Sequence, residues 1–391
     1  MENMNDLSKI TPNLKITADG IYNTISIRGL GSGANNGFEQ SVGTFIDNVY
    51  FNSTARLLSS MYDIDRIEVL RGPQGTLFGR NTIAGAVAVH TGKVSDVFEM
   101  IADSTMGDLN WSKHTLVTNI PLIDGKLGAR IAGQYFKRDG HVYDRLQDIE
   151  SGTNRSESAR VKLRYDMSDD VSMTLTYQFL DTSLRGQGDQ YHHVPQEWIA
   201  FMQDYDPNIE GNLDDYEHST DYLSGGDIEF ADLIAHVDFR LWEHDFSAIL
   251  ADTSADRTGG LDADFGPSSA IVGEGGGTSD QTSLELRMMS DPGTLEYITG
   301  IYYFKLDRTD LTDTYVNHLI FAQAVLTGSF VSVPGIGQVL TAAGPGSSDA
   351  KDSDRKRNTF RQYGDSYAAY GQLTWNLAER WSLIGGARYS V

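Results

Sequence analysis

From about residue 95 onward, apolar and polar positions alternate. Ala159, Val161, Leu163, Tyr165 and Met167 interleave with Arg160, Lys162, Arg164 and Asp166, and Val171, Met173, Leu175, Tyr177 and Phe179 with Ser172, Thr174, Thr176 and Gln178. A period of two is the signature of strands with one apolar face. It predicts about eleven strands, near 98–107, 111–120, 126–137, 157–167, 171–181, 228–241, 245–254, 281–289, 294–306, 365–376 and 381–391. A half-buried sheet in water shows the same alternation, so the connections carry more information. Links near 121–125, 168–170, 242–244, 290–293 and 377–380 are short, and those near 138–156, 182–227, 255–280 and 307–364 are long. Short and long links alternate from the second strand on. In an antiparallel sheet all short turns then fall at one end and all long loops at the other, the layout of outer-membrane barrels. Strands of roughly 9–11 residues suffice to cross a bilayer when tilted.

Residues 1–95 read differently, as mixed α/β punctuated by glycines, with short helices predicted over 5–10 and 54–61 and Ser53 as an N-cap. They hold eight acidic and eight basic residues, so the whole net charge of −23 falls on 96–391. The asymmetry places a domain boundary near Ser95. The acidic balance excludes nucleic acid as a partner, because phosphate binding needs a basic face. With no cysteine in the chain, disulfides and thiolate metal sites are excluded. No apolar run reaches the ~18 residues of a membrane helix, a test that alternating barrel strands escape. The opening residues MENMNDLSKI lack the basic and apolar regions of a signal peptide.

Three motifs occur in order: Ile25-Ser26-Ile27-Arg28-Gly29, then Val42-Gly43-Thr44-Phe45-Ile46-Asp47-Asn48-Val49-Tyr50, then YDIDRIEVLRGPQGTLFGRNTIAGAVAVH over 62–90. Together they closely resemble the plug domain of TonB-dependent outer-membrane receptors. Residues 98–138, ending in Tyr135-Phe136-Lys137-Arg138-Asp139-Gly140, resemble the first barrel strands of that family, and Leu284-Glu285-Leu286-Arg287 and Gly300-Ile301-Tyr302-Tyr303-Phe304 resemble later ones. The resemblance implies a small α+β plug (1–95, lacking its first part) followed by an all-β antiparallel transmembrane barrel (96–391). About 11 strands are expected here of the roughly 22 in the family. It implies a monomeric barrel in the outer membrane of a Gram-negative bacterium, surrounded by lipid and lipopolysaccharide. It further implies energy coupling by the TonB-ExbB-ExbD complex, through a segment expected to be missing here. An open half-barrel leaves edge strands unpaired, which lipid does not tolerate. The chain is therefore expected to be a fragment that neither inserts nor transports alone.

The resemblance puts Arg28 and Arg71 at family positions where plug arginines face the barrel wall. Glu285 lies between Leu284 and Leu286, so period two turns it inward. A lock between Arg28, Arg71 and Glu285 is the candidate plug–barrel contact. The alternative is that the arginines only hold plug loops. Gly29, Gly72, Pro73 and Gly75 are read as turn geometry, and Asp63, Asp65, Arg66 and Glu68 as strand-surface charges. Arg160, Lys162 and Arg164 form an inward basic row; Arg160 and Arg164 are candidate ligand contacts, or else partners of plug or neighbouring acids. The 182–227 segment has ten acidic residues and one arginine. Its Tyr191, His192 and Trp198 are candidate ligand contacts, weighed against a merely solvated loop bridged by divalent cations to lipopolysaccharide. His192-His193 is a poor metal pair because adjacent strand residues point apart. Asp252, Asp256, Asp262 and Asp264 are oxygen-rich enough for calcium but lack EF-hand spacing, so no metal site and no cofactor are assigned. The glycine-rich 31–37 stretch lacks the Gly-Lys-Ser/Thr of a phosphate loop.

No nucleophile elbow, zinc-ligand spacing or acid/base pair is found, and the chain is read as no enzyme. The reading is TonB-energised uptake of a scarce small-molecule nutrient: a ferric siderophore or similar iron complex first, with an oligosaccharide, haem or cobalamin as other ligands. The alternative is a non-transporting outer-membrane β-protein, such as an adhesin or passive channel. A soluble β-rich hydrolase would need convergent catalytic residues.

Overall fold

The alternation becomes one continuous sheet. The computed structural model describes residues 4–19, 22–32, 40–53, 56, 61–190, 194–210, 215–317, 320 and 355–391. The chain opens with α1 (Met4–Ile10), β1 (Leu14–Asp19), β2 (Tyr22–Ile27) and β3 (Leu30–Gly31). Then come β4 (Val42–Ile46), β5 (Val49–Phe51), β6 (Ile64–Arg71) and β7 (Gly85–Thr91). Strands β1–β3 form one small sheet and β5-β4-β7-β6 another, with β4 and β7 parallel. Asp47 (φ 47°) and Asn48 (φ 68°) make the tight β4–β5 turn; two successive left-handed residues are what a type I′ hairpin needs. Gly85 has φ 151°, and a Cβ there would lie 2.2 Å from the Leu70 carbonyl oxygen, so β6 and β7 approach only across a glycine.

Eleven further strands pair in sequence as one open antiparallel sheet. They are β8 (Glu99–Met106), β9 (Ser112–Ile123), β10 (Leu127–Arg138), β13 (Thr153–Ser168), β14 (Val171–Arg185), β16 (Gly225–Leu241), β17 (His244–Asp262), β18 (Ile271–Ser290), β19 (Leu295–Val316), β20 (Arg355–Ala378) and β21 (Trp381–Ser390). All eleven predicted positions carry one of these strands. The link between β10 and β13 holds β11 (Val142–Asp144) and β12 (Ile149–Ser151); that between β14 and β16 holds α2 (Gln196–Gln203) and β15 (Glu217–His218). Strands β12, β11 and β15 form a small sheet at this end. The segment expected as a long loop over 255–280 is mostly strand: β17 and β18 stay paired out to Asp262 and Val272, leaving a short connection. Backbone pairing is the cheapest way to satisfy amides that leave the apolar layer, so the wall continues past the length that alternation marks. Arg56 is helical, in the middle of the predicted 54–61 helix; 54–55 and 57–60 lie outside the described residues.

The two faces of the large sheet have reversed polarity for a water-soluble protein. Val161, Leu163, Tyr165, Leu175, Tyr177, Phe179, Leu233, Leu250, Leu284, Leu286 and Ile301 are exposed on the outer face. Arg160, Lys162, Thr176, Gln178, Asp232, Ser283 and Glu285 are buried on the inner one. The inner face closes over residues 1–95. One core cluster joins Ile27, Val42, Ile46, Phe51, Val87 and Val89 to Ile234, Ile249 and Ala251 of the wall. Another joins Phe45, Tyr50, Ala86 and Ala88 to Phe304 and Leu306.

Candidate functional site at the plug–barrel interface

Where the small sheets meet the wall, charges are buried in pairs. The Arg56 guanidinium lies between the rings of Phe51 and Phe230, 4.9 and 4.2 Å from their centroids. It pairs with Asp232 of β16 and donates to the Ser254 carbonyl at 2.5 Å. Asp232 also accepts from Gln178 Nε2 at 2.7 Å, and Gln178 Oε1 accepts from Arg160 Nε at 2.9 Å. Arg160 in turn donates to the Tyr62 carbonyl at 3.3 Å and lies over the Tyr62 ring. A second pair lies below the β4–β5 turn. Lys162 Nζ reaches Asp47 Oδ2 at 2.9 Å and Thr91 Oγ1 at 2.5 Å, and the Thr91 amide donates to Asp47 Oδ1 at 2.8 Å. A third joins Asp63 to Arg130 of β10 at 2.6 Å, with Arg130 also bonded to Glu99 of β8 at 3.0 Å. The segment leading into the wall is clamped by Asn119, whose side chain donates to the Ser95 and Val97 carbonyls at 2.8 and 2.6 Å and accepts from the Ser95 amide at 3.0 Å.

Each charge is deeply desolvated, so neither partner of a pair can be withdrawn without leaving the other bare. Burial pushes the Asp47 carboxyl up, but the Lys162 charge and the Thr91 bonds outweigh it, and the group sits below its ordinary range. Bidentate and charge-assisted bonds of this kind fix one orientation of an inserted domain. This arrangement holds a plug in place, and its chemistry is that of a latch rather than of bond-breaking.

Residues 1–86 match the TonB-dependent Receptor Plug Domain. The chain carries the plug and barrel wall of a TonB-dependent receptor. Among its relatives are the pesticin receptors of Yersinia enterocolitica and Yersinia pestis, 26% identical over 161 residues. That match takes in 40% of this chain and 24% of the relative's length. Among solved structures, the ferric yersiniabactin uptake receptor FyuA from Yersinia pestis superposes with a TM-score of 0.76 at 18% identity, covering 99% of this chain and 53% of that one. The outer-membrane ferripyoverdine receptor of Pseudomonas aeruginosa superposes with a TM-score of 0.70 at 14% identity, covering 99% and 49%. The chain thus spans about half the length of these receptors.

Within this TonB-dependent receptor frame, the expected lock forms with other residues. Glu285 does turn inward and is buried, but it accepts from Tyr370 Oη at 2.5 Å and from Arg287 at 2.8 Å, both on the wall. Arg28 and Arg71 are exposed, and among the described residues neither is paired with Glu285. The reason is topological. Arg28 sits in the β2–β3 turn and Arg71 at the end of β6, whereas the plug arginine that lines the Glu285 cavity is Arg80. That cavity, about 170 Å³, is shared by Phe45, Tyr50, Phe78, Tyr302 and Arg388. Asp63, expected as a surface charge, is buried against Arg130, while Asp65, Arg66 and Glu68 do lie at the surface. Gly29 (φ 78°) and Gly72 (φ 88°) are left-handed turn residues. Gly75 has no such φ, a Cβ there would meet nothing, and Pro73 is exposed beside it, so the turn needs only Gly72 for its geometry.

The proposed ligand contacts move too. Arg160 is about 2% exposed and engaged as described, and Arg164 binds Asp166 at 2.8 Å and the Val94 carbonyl at 3.3 Å, so both face the plug. Trp198 packs in the small core of α2 with Phe201, Met202 and Ile209. Tyr191, His192 and His193 lie outside the described residues. Nearby, His218 Nε2 meets both Ser151 Oγ at 3.0 Å and Asp144 Oδ2 at 3.2 Å, while Nδ1 meets the Asp189 carbonyl at 2.9 Å. Ser151 is wholly buried and shares one nitrogen with the acid, so the trio pins the β11–β12–β15 sheet and presents no nucleophile. The residues missed from sequence, Arg56, Asp47, Asp232 and Arg130, had one usable signal. Asp232 and Arg130 are inward by the same parity that selected Glu285, between Ala231 and Leu233 and between Ala129 and Ile131.

Proposed function

We propose that this chain serves TonB-energised uptake of a ferric chelate across the outer membrane of a Gram-negative bacterium. One observation carries the membrane part: a sheet with exposed apolar residues outside and buried charges inside, closed over a plug. Such a wall fits hydrocarbon on one face and a polar, occluded lumen on the other. The buried latches explain why energy is needed. Extracting the plug would expose several paired charges, and a passive channel gains nothing from such a domain. The TonB complex, with ExbB and ExbD, supplies the pull in this reading. The iron assignment draws on FyuA, the ferripyoverdine receptor and the ferric citrate transporter FecA, whose names all carry ferric ligands. A haem, cobalamin or oligosaccharide ligand would use the same wall.

The test is uptake of iron-labelled chelates by a receptor-deficient host expressing the gene product that contains this sequence. Saturable uptake that disappears when TonB is removed supports the reading. Uptake that persists without TonB would indicate a passive channel, and no uptake of any ferric chelate would remove the iron assignment.

A further inference from the structure

Away from the plug, at the long-connection end, three carboxylates converge. Asp262 ends β17, Asp264 follows in the β17–β18 connection, and Asp221 comes from the segment leading into β16; an oxygen of each lies within 4.8 Å of the others. The backbone is wrapped to hold them so. Asp262 Oδ1 accepts the amides of Asp264 and Phe265 at 3.2 and 3.0 Å, and Asp264 accepts the amides of Gly266, Ala270 and Ile271 at 3.1, 2.8 and 2.9 Å. The Asp221 amide donates to the Gly266 carbonyl at 3.1 Å, bringing the two segments into register.

One atom is left over. Asp262 is wholly buried, and its Oδ2 is shut off from water without a hydrogen-bond partner among the described residues. Ser268 in the same connection is also wholly buried, with its hydroxyl likewise unmatched. No basic side chain among the described residues forms an ion pair with Asp262 or Asp264. A bare buried carboxylate oxygen beside two more carboxylates is costly unless a proton or a cation sits there.

We infer that Asp221, Asp262 and Asp264 bind a calcium ion that ties the segment before β16 to the β17–β18 connection. The donors are all oxygen, which selects a hard cation. Irregular geometry built from carboxylates suits calcium, whereas magnesium demands near-octahedral order and keeps its waters. The site is separate from the plug latches and does not depend on the uptake reading, since it can be measured without any nutrient.

The experiment is calorimetric titration of the full chain, folded in detergent, with calcium chloride, alongside Asp262→Asn, Asp264→Asn and the control Asp227→Asn, whose residue pairs with Arg185 at the surface. Calcium binding in the range of extracellular sites, tighter than about 1 mM, is expected for the parent and the control, with at least about a tenfold loss in either site variant. Limited proteolysis across 262–271 gives a second readout. Calcium should slow cleavage of the parent, while Asp262→Asn, relieved of one charge, should be cut at one rate with or without calcium. Absence of saturable binding up to about 10 mM in folded parent protein, or equal affinity in both site variants, overturns the inference. Equal binding of magnesium at the same concentration would overturn the choice of ion.

Discussion

Removing Arg56 should loosen the plug without touching the wall's backbone pairing. The Arg56 and Asp232 side chains are 6% and 2% exposed. Arg56→Gln leaves the Asp232 carboxylate in a dry site with the Gln178 amide at 2.7 Å as its remaining recorded donor. Breaking one side of such a pair costs about 3–5 kcal/mol, because the surviving charge is uncompensated. Loss of the guanidinium from between Phe51 and Phe230 adds about 1 kcal/mol. At about 1.4 kcal/mol per decade, plug opening should become at least about 100-fold more frequent. Hydrogen exchange of the β4 and β5 amides in detergent-folded protein reads this directly, since they are shielded by the plug's seating against the wall. Asp232→Asn should act in the same direction. The double variant Arg56→Met with Asp232→Leu should return exchange to within about tenfold of the parent, because apolar replacement of a whole buried pair is near neutral. If both single variants exchange within about threefold of the parent, or the double equals the sum of the singles, the pair is not the latch described here.

Gly85→Ala should destabilise the plug by at least about 2 kcal/mol, since φ 151° and a 2.2 Å approach to the Leu70 oxygen leave no room for a methyl group; protease resistance of 64–91 equal to the parent's would contradict this. Leu250→Arg on the outer face should cost about 2–4 kcal/mol for folding into lipid vesicles if that face meets hydrocarbon, and a cost under about 0.5 kcal/mol would place it in water. Two neighbouring loops should respond to pH with opposite sign. Burial raises the Asp144 carboxyl, but His218, the Thr220 hydroxyl and the Gln147 amide leave it below its usual 3.8. Its contribution is therefore complete above that value and lost as pH falls through the lowered one, seen as faster exchange over 142–151. Asp262 and Asp264 are both held above the carboxylate range, by burial first. For Asp262 the neighbouring acidic charges add to the rise. Without calcium their contribution is complete below 3.8 and is lost as pH rises, so 262–271 should exchange faster at higher pH in chelator; the reverse trend would refute the assignment.

The elements that were legible in advance share a physical cause. A strand with one face in hydrocarbon must alternate, so all eleven wall strands could be placed from residues such as Val161, Leu163, Leu175 and Tyr177 alone. Turn length then orders them, because a chain that reverses in two or three residues can only pair with its neighbour. The extension of β17 and β18 past their apolar stretch was not legible: beyond the bilayer, pairing continues through Thr253–Asp262 and glycine-rich 273–277 without an alternation to announce it.

By itself the sequence determined the strand count, the reversed polarity of the two faces, the inward direction of Glu285 and the presence of a plug. Which charges meet was decided only by the tertiary structure. Arg56 and Asp232 are 176 residues apart and Lys162 and Asp47 115, and no local pattern encodes such distances. Parity assigns a side chain to a face, while its partner depends on how the plug is rotated against the wall. That rotation is set jointly by the apolar clusters and by the requirement that each buried charge find an opposite one.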